Sequence, residues 1–337
     1  MIISRTPYRI SFFGGGTDYR EWYLEEGGAV LSTTIDKYCY LSCRWLPPFF
    51  GIKHRVVWSH IEAVSTISEI LHPAVREGLR ILGFDDSVGL EIHHQGDLPA
   101  RAGIGSSSSF SVGLIKALLG LQGRDIDRHG LALRAIELEQ DVLKEHVGAQ
   151  DQVAAAYGGF NRIRFQRTGE IEVEPLGAAP QRLEELRSRL LLYYTGASRL
   201  SSEVAKEIVE NLPRRREVLL RMRELVDEAV GILRGDADLD SFGRLLDEGW
   251  RLKRGLGSRV SSPRIDGIYD AALRHGALGG KLLGAGGTGF MMFYAPPERH
   301  GEIREAFSGH VPVPFEFETH GSAIIYSDPE CGVGRGR

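Results

Sequence analysis

LPARAGIGSSSSF, residues 98–110, joins a glycine turn to four consecutive serines at the start of an apolar helix. Gly103 and Gly105 permit backbone conformations that other residues avoid, so the main chain can pass close to a bulky anion. Hydroxyls and free backbone N–H groups at a helix N-terminus, where the dipole is positive, favour such an anion. The serines that would supply them are Ser106, Ser107, Ser108 and Ser109.

This loop lacks the lysine of a standard P-loop, because no Gly-Lys-Ser/Thr sequence follows its glycines. A cation for the phosphates must therefore come from another part of the chain. A Gly/Ser linker is the alternative interpretation, but a linker would not run directly into the apolar residues that begin at Phe110. We predict a phosphate-binding loop that holds a nucleotide.

A second predicted helix, residues 131–147, has one acidic residue in the middle of its apolar face. On a helical wheel Glu139 falls among leucines, alanines and valines, where a carboxylate is costly to bury unless it meets a cation or is protonated. Glu139 is therefore a candidate Mg²⁺ ligand, together with a hydroxyl of Ser107 or Ser108. A buried ion pair with an arginine is the alternative.

Asp151 follows the predicted end of this helix, in the segment AQDQ of residues 149–152. A carboxylate at such a position on a rigid scaffold suits catalysis, and as a base it would accept the proton of an attacking hydroxyl. The same residue could instead serve only as a helix cap.

Length and composition describe an ordinary globular chain. It has 337 residues, 42% of them hydrophobic, and a formal net charge of −4. We expect two domains, no nucleic-acid partner and no attraction to an anionic membrane. Three cysteines are too few for a disulfide framework, which favours a reducing, cytoplasmic location. Arg5 and Arg9 interrupt the apolar N-terminal stretch, so we expect neither export nor a membrane span.

The remaining pattern alternates β-branched and aromatic runs with amphipathic ones, which indicates an α+β fold. Predicted strands lie at residues 29–45, 88–94, 190–195 and 289–294, with a hairpin at 161–176. Predicted helices lie at 107–121, 131–147, within 202–255 and at 263–275. The segment GAAP at 177–180 is a breaker, and we place the domains at 1–187 and 188–337.

Near the N-terminus, PYRISFFGGGTDY at residues 7–19 reads as a strand that enters a glycine turn framed by Arg9 and Asp18. This segment resembles the Pro-Gly-Arg strand and Gly-Glu-His-Thr-Asp-Tyr turn of galactokinases, which belong to the GHMP kinases. The serine loop is similar to the second motif of that family, and KLLGAGGTG at residues 281–289 is similar to the third. A glutamate about a dozen residues before an Asp-Gln pair is also similar, and it corresponds to Glu139 before Asp151.

The resemblance implies a two-domain fold, with a ribosomal-protein-like β-α N-terminal domain, a ferredoxin-like C-terminal domain and the site between them. It implies ATP as phosphate donor and Mg²⁺ held by Glu139 with Ser107 or Ser108. Asp151 would be the base that faces the anomeric hydroxyl of a sugar, and Arg9 would lie beside it and stabilise charge on the phosphoryl group.

The resemblance also implies a sugar-binding surface. Asp18 would hydrogen-bond sugar hydroxyls next to Thr17. The third motif, with Gly286, would approach from the second domain, although alone it could be a tight turn between strands. Where galactokinases have Glu-His this chain has Gly15 and Gly16, which leaves more space and less negative charge at the sugar.

The GGGTD turn, the QDQ segment and YTGASR at residues 194–199 are similar to the branch of the family that phosphorylates D-glycero-D-manno-heptose 7-phosphate. That branch implies a small sugar phosphate as substrate and a 1,7-bisphosphate as product. Arg199, at a predicted helix start, would bind the existing phosphate, or it is a surface arginine near a helix cap. A kinase of an unphosphorylated fucose, galactose or mannose, and a sensor without catalysis, stay open as alternatives. A homodimer is compatible with each.

Overall fold

The computed structural model describes residues 1–196 and 201–328, with residues 201 and 202 described by their backbone only. The strands, in chain order, are β1 (Ile2–Phe13), β2 (Gly28–Leu46), β3 (His54–Val57), β4 (Ile61–Val64), β5 (Gly89–Gly96), β6 (Phe160–Phe165), β7 (Ile171–Pro175), β8 (Leu190–Tyr194), β9 (Gly279–Leu282), β10 (Phe290–Tyr294), β11 (Val311–Pro312), β12 (Phe317–Glu318) and β13 (Ala323–Ser327).

The helices, in chain order, are α1 (Arg20–Glu26), α2 (Pro73–Ile81), α3 (Ser106–Leu121), α4 (Arg128–Ile136), α5 (Gln150–Tyr157), α6 (Pro180–Ser188), α7 (Ser201–Asn211), α8 (Arg216–Arg234), α9 (Asp240–Arg254), α10 (Pro263–Arg274) and α11 (His300–Ala306). Helices and antiparallel strands occur in largely separate layers, so the predicted α+β class is confirmed. No helix of the described ranges is long and apolar enough to cross a membrane.

The first sheet has nine strands and is organised around β2, a run of 19 residues. The first part of β2 pairs with β6 and its last part pairs with β5, while β1 lies along its other side. All of these pairs are antiparallel, and β3 beside β5 is a parallel exception. Helix α3 packs on β1 and β2, and the serine loop that precedes α3 lies beside β1, where the Arg9 N–H donates to the Ile104 carbonyl at 3.2 Å.

The second sheet has four antiparallel strands in the order β11-β8-β10-β9, and α9 packs on its β9 edge. After this sheet the chain returns to the first one, because β12 pairs with β2 and β13 pairs with β1. The predicted boundary at residue 187 falls within α6, just before β8 begins at Leu190. The exact division stays a prediction.

The helix predicted at residues 131–147 is shorter and less regular than its pattern indicated. Helix α4 passes at Glu137–Val142 into a π-helical turn, in which the Leu143 N–H bonds the Leu138 carbonyl. Lys144 then adopts a φ of +56°, a left-handed conformation that ends the helix. Irregular backbone follows as far as Ala149, the residue before α5.

The two sheets meet at the glycine loops. A Cβ on Gly284 would lie 2.4 Å from the Gly103 Cα, and the Phe290 N–H donates to the Ala102 carbonyl at 3.2 Å. The Lys281 ammonium donates to the Phe12 carbonyl at 2.8 Å. These contacts bring the loop between β9 and β10 against the serine loop and leave a cavity beside them.

Candidate active site

Arg9 and Asp151 form the central pair of the cavity. Arg9 on β1 donates from Nε to Asp151 Oδ1 at 2.7 Å and from Nη2 to Oδ2 at 2.6 Å. Its remaining nitrogen, Nη1, donates to the Gly103 carbonyl at 2.7 Å. Asp151 lies in the first turn of α5 and does not cap it, since Ala149 is the N-cap residue. The bidentate pair fixes the carboxylate in orientation and ties it to the serine loop.

The serine loop has the conformation that its glycines permit. Gly103 and Gly105 have φ values of +84° and +73°, and a Cβ on Gly105 would lie 3.1 Å from the Arg9 side chain. Ser106 accepts a hydrogen bond from the Arg101 N–H, and Ser109 donates to the Pro7 carbonyl, so both hydroxyls hold the loop itself. Ser106, Ser107 and Ser108 line the cavity at the start of α3.

Glu139 is fully buried in the π-helical turn beside the serine loop. Its Oε2 accepts from Ser108 Oγ at 2.9 Å and from Gln152 Nε2 at 2.5 Å. Its Oε1 has no hydrogen bond of good geometry in the described residues. Burial raises the pKa of this carboxyl to about 7, against the lowering effect of the nearby Ser111 hydroxyl and of the Ser108 and Gln152 hydrogen bonds.

These donors fit Mg²⁺. A carboxylate oxygen without a partner and a serine hydroxyl are hard oxygen ligands, and Mg²⁺ is commonly bound by one or two carboxylates together with substrate phosphates. No cluster of three or more His, Cys, Asp or Glu side chains that could hold a metal occurs in the described ranges. One carboxylate and one serine hydroxyl suit a Mg²⁺ ion that nucleotide phosphates also bind.

The glycine turn after β1 presents Gly15, Gly16 and Asp18 to the cavity. Asp18 is 2% exposed and accepts from the Gly16 N–H at 2.9 Å and the Gln150 N–H at 3.3 Å. Burial raises its pKa, and the Asp151 charge adds to that effect while the backbone N–H groups oppose it. Thr17 points away from the cavity lining, because its hydroxyl donates to the Gly14 and Ala29 carbonyls.

Gly286 and Arg199 were predicted to bind the substrate. In the loop between β9 and β10, Gly284 and Ala285 line the cavity, while Gly286 packs against Val260, whose carbonyl oxygen would lie 2.6 Å from a Cβ there. Arg199 falls outside the described residues, so its role as a phosphate ligand stays a prediction.

The sequence reasoning missed two lysines of the second domain. Lys253 on α9 and Lys281 on β9 are 7% exposed and line the cavity. Burial and the nearby Arg9 charge lower the pKa of both, that of Lys281 to about 7, and Lys281 further lowers the pKa of Lys253. Lys281 begins the third motif, which could have drawn attention to it. Lys253 lies in a helix rich in charged residues, where nothing distinguishes it.

Two polar side chains of the first domain were also missed. Ser11 Oγ and Gln150 Oε1 are buried, line the cavity and have no hydrogen-bond partner among the described residues. A Cβ on Gly15 would lie 3.4 Å from Gln150 Nε2 and 3.8 Å from Ser11 Oγ. Gly15 therefore leaves both groups open to a hydroxyl-bearing ligand.

The cavity has a volume of about 350 Å³ and draws on both domains. One wall is the serine loop and the first turn of α5, another is the glycine turn, and a third is α9 with the β9–β10 loop. Ala205 and Ile208 of α7 supply its apolar lining. A helix N-terminus, an oriented carboxylate and several buried cations together suit transfer of a phosphoryl group.

Two family models match the chain. The GHMP kinase N-terminal domain matches residues 66–159 and the GHMP kinase C-terminal domain matches residues 222–312, which together make up more than half of the sequence. The chain is 28% identical over 319 residues to the D-glycero-alpha-D-manno-heptose 7-phosphate kinase of Campylobacter jejuni subsp. jejuni serotype O:2, covering 88% of this chain and 90% of that protein.

A second relative, the bifunctional fucokinase/GDP-fucose pyrophosphorylase of Arabidopsis thaliana, is 30% identical over 90% of this chain and 31% of its own length. The crystal structure of a D-glycero-D-manno-heptose 1-phosphate kinase from Bacteroides thetaiotaomicron superposes with a TM-score of 0.78 at 25% identity, covering 97% of this chain and 100% of that one. The two-domain fold implied by the sequence motifs is thereby confirmed. The chain belongs to the GHMP kinases, a family of ATP-dependent phosphotransferases.

Proposed function

We propose that the protein transfers the γ-phosphoryl group of ATP to the anomeric hydroxyl of D-glycero-D-manno-heptose 7-phosphate and releases the 1,7-bisphosphate. The observation that carries this proposal is the Arg9–Asp151 pair, which lies in a cavity between a serine-rich helix N-terminus and a hydroxyl-binding turn. The Campylobacter jejuni relative supports the choice of sugar.

Asp151 acts as the general base in this proposal. Its carboxylate accepts the proton of the anomeric hydroxyl as the oxygen attacks the γ-phosphorus, and the bond to the ADP oxygen breaks. Arg9 holds both carboxylate oxygens, so the base keeps one orientation during the transfer. The guanidinium also lies close enough to offset charge that builds up on the transferred group.

The N-terminus of α3 receives the phosphates of ATP. Backbone N–H groups of the serine loop and the hydroxyl of Ser107 point to this end of the cavity, where the helix dipole favours anions. Ser108 and Glu139 would hold Mg²⁺, which when bound neutralises phosphate charge. Arg101 of the serine loop lines the cavity, and Arg9 contacts the same loop through the Gly103 carbonyl. These two arginines supply the positive charge that a P-loop takes from its lysine.

The sugar lies against the glycine turn. Asp18, Ser11 and Gln150 offer acceptors and donors that the described residues leave unused or half used, and sugar hydroxyls would satisfy them. Gly15 and Gly16 carry no side chains there, which leaves room for the seven-carbon sugar. Arg199 remains our proposed ligand for the phosphate at the far end of the substrate.

Purified protein with MgATP should be tested against heptose 7-phosphate, heptose 1-phosphate, the free heptose, fucose, galactose, mannose and mevalonate, with products identified by ³¹P NMR. We expect turnover of the 7-phosphate to exceed that of every other acceptor by at least about 10-fold, a difference of about 1.4 kcal/mol in transition-state binding. Failure to convert any heptose phosphate overturns the proposal.

A kinase of a free sugar is the second candidate, and the 30% identity to the Arabidopsis thaliana fucokinase chain favours it. The same panel separates the two, because a free-sugar kinase gains nothing from the terminal phosphate. Faster turnover of fucose than of either heptose phosphate would decide for this alternative.

A further inference from the structure

Lys253 and Lys281 are buried cations without carboxylate partners. The Lys253 Nζ donates to the Leu282 carbonyl at 2.8 Å and to the Gly284 carbonyl at 2.5 Å. The Lys281 Nζ donates to the Phe12 carbonyl at 2.8 Å. Within the part of the chain that the structure describes, neither forms an ion pair with Asp or Glu at 4.0 Å or less. An ammonium has three donors, so one N–H of Lys253 and two of Lys281 remain.

A buried ammonium is costly unless an anion or a full set of acceptors compensates it. Arg9 faces both lysines from β1, but its own charge is balanced by the bidentate contact with Asp151. Of the remaining acids, Asp18 acts on Lys281 and Asp151 acts on Lys253, each only through the longer-range electrostatic field. The second-domain wall of the cavity therefore offers buried N–H donors that have no anionic partner at contact distance among the described residues.

We propose that the ammonium groups of Lys253 and Lys281 form a phosphoryl-binding subsite on the second-domain wall of the cavity. Their three remaining N–H donors match the three terminal oxygens of a phosphate group. The subsite rests on the proposed function only for the identity of its ligand, because the unused N–H donors are a property of the two buried lysines themselves.

Two groups share this chemistry, the γ-phosphoryl of ATP and the phosphate already on the sugar. The neighbours of the lysines are the base, Asp151, and the sugar-facing acid, Asp18, so the pair lies between the two ends of the reaction. A subsite for the γ-phosphoryl distinguishes ATP from ADP. A subsite for the substrate phosphate distinguishes a sugar phosphate from the free sugar.

Proton uptake is a consequence that can be measured on the unmodified protein. Burial and the Arg9 charge disfavour the protonated form of Lys281, whose pKa is lowered to about 7, and an anion on the subsite reverses that preference. At pH 8 phosphate groups are already fully ionised. Binding of the correct anion should then draw at least about one proton from the buffer into the site.

Isothermal titration calorimetry at pH 8, in two buffers of different ionisation enthalpy, measures this uptake for ATP, ADP, heptose 7-phosphate and the free heptose. We expect uptake with ATP but not ADP, or with the sugar phosphate but not the free sugar. Absence of proton uptake with both phosphate ligands overturns the proposal, whether or not any variant folds.

The variants Lys253→Met and Lys281→Met keep the side-chain length and remove the charge. If the subsite binds the γ-phosphoryl group, we expect each variant to raise the Kd for ATP at least about 10-fold and the Kd for ADP less than about 2-fold. If it binds the substrate phosphate, the same difference should appear between heptose 7-phosphate and the free heptose. Lys206→Met is the matched control, because Lys206 is exposed on α7, the helix that supplies Ala205 and Ile208 to the cavity. Equal weakening of a ligand and its counterpart would overturn the proposal.

The two proposals fail separately. If ATP takes up a proton and depends on the lysines, but no heptose phosphate is converted, then the subsite stands and the substrate assignment is wrong. If heptose 7-phosphate is converted, but neither its Kd nor the Kd for ATP changes in the two lysine variants, then the function stands and the subsite is wrong.

Discussion

The two domains contribute opposite charges to the same cavity. The first supplies the carboxyls of Asp18, Glu145 and Asp151, while the second supplies the side-chain nitrogens of Lys253 and Lys281. Glu139 is fully buried and reaches the cavity wall through its hydrogen bond with Ser108. Two cations of the first domain, Arg9 and Arg101, also line the cavity, but Asp151 already neutralises Arg9 and Arg101 is exposed. Burial raises the pKa of Asp18 and Glu139 and lowers that of the lysines, so each side is driven toward its neutral form.

This division implies that neither half is a complete site. The acids can act as base, metal ligand and hydroxyl acceptor, but their own wall offers few free cations for phosphate. The lysines can bind phosphate, but among the described residues their wall has no carboxylate that could serve as the base. Substrates that carry both hydroxyls and phosphates can bind both walls at once. Their hydroxyls would pair with the acids and their phosphates with the lysines, which are left without such partners in the folded protein.

The largest expected effect comes from removing the base on the acidic side. Asp151→Asn keeps the shape and the contact with Arg9 but cannot accept a proton, so we expect kcat to fall about 10³-fold while the Kd for ATP changes less than about 3-fold. Steady-state rates and calorimetric titration with ATP measure the two quantities. Turnover within 10-fold of the unmodified protein would remove Asp151 from the mechanism.

Glu139→Gln tests whether the buried carboxyl is destabilising until a metal meets it. Because the pKa of Glu139 rises from 4.5 to about 7 on folding, the folded state holds its proton more tightly than the unfolded state. The contribution of Glu139 to stability therefore falls as pH rises from about 4.5 to about 7, by about 3 kcal/mol. Glutamine does not ionise, so we expect the free energy of unfolding of the variant not to show this loss. Relative to the unmodified protein, the variant should therefore become more stable as the pH rises from about 4.5 to about 7.

Urea unfolding with a metal chelator present, at pH 4.5 and pH 8, provides the measurement. Added Mg²⁺ and ATP at pH 8 should stabilise the unmodified protein more than the variant. Glu137→Gln is the control, since Glu137 begins the same π-helical turn but is partly exposed and pairs with Arg134. If Glu139→Gln and Glu137→Gln show the same pH dependence, burial of Glu139 is not the cause.

Gly284→Ala tests the contact that brings the two walls together. Gly284 has a φ of +71°, and an added Cβ would lie 2.4 Å from the Gly103 Cα, where backbone cannot easily give way. We expect a loss of about 2 kcal/mol in stability and a raised KM for both substrates, because the serine loop must move. Gly267→Ala on the exposed face of α10, where a Cβ meets nothing within 4 Å, should instead be neutral or slightly stabilising.

Differential scanning calorimetry and initial-rate kinetics on both glycine variants decide the point. Equal effects of Gly284→Ala and Gly267→Ala would show that the interdomain contact does not hold the loop in place.

The acidic wall was easier to predict from the sequence than the basic one, and the reason is physical. Glu139 interrupts an apolar face and Asp151 follows it at a short distance, so both are visible as local exceptions to a pattern. Lys253 follows no such rule, because its burial depends on the way α9 packs on β9, a contact between residues far apart in sequence. Burial of a lysine in a charged helix is set by tertiary packing, which periodicity does not encode.

Irregular backbone is a second reason why the sequence predicts the structure only in part. The π-helical turn and the left-handed Lys144 end the helix earlier than its apolar period indicates, yet Glu139 stays buried as predicted. Thr17 is a different case, since its place in a family motif pointed to the substrate. In the structure its hydroxyl donates hydrogen bonds to the Gly14 and Ala29 carbonyls, and the local sequence pattern does not predict these contacts.

The smallest expected effect follows from that difference. Thr17→Val keeps the shape but removes the hydroxyl that donates to the Gly14 and Ala29 carbonyls and accepts from the Ala29 N–H at 3.1 Å. Because these backbone groups are buried, we expect a loss of about 1–2 kcal/mol in the free energy of unfolding, measured by urea titration. The KM for the sugar phosphate should rise only if the turn shifts, and then in parallel with the loss of stability. A raised KM with unchanged stability would instead mean that the Thr17 hydroxyl contacts the sugar directly, as its place in the family motif predicts.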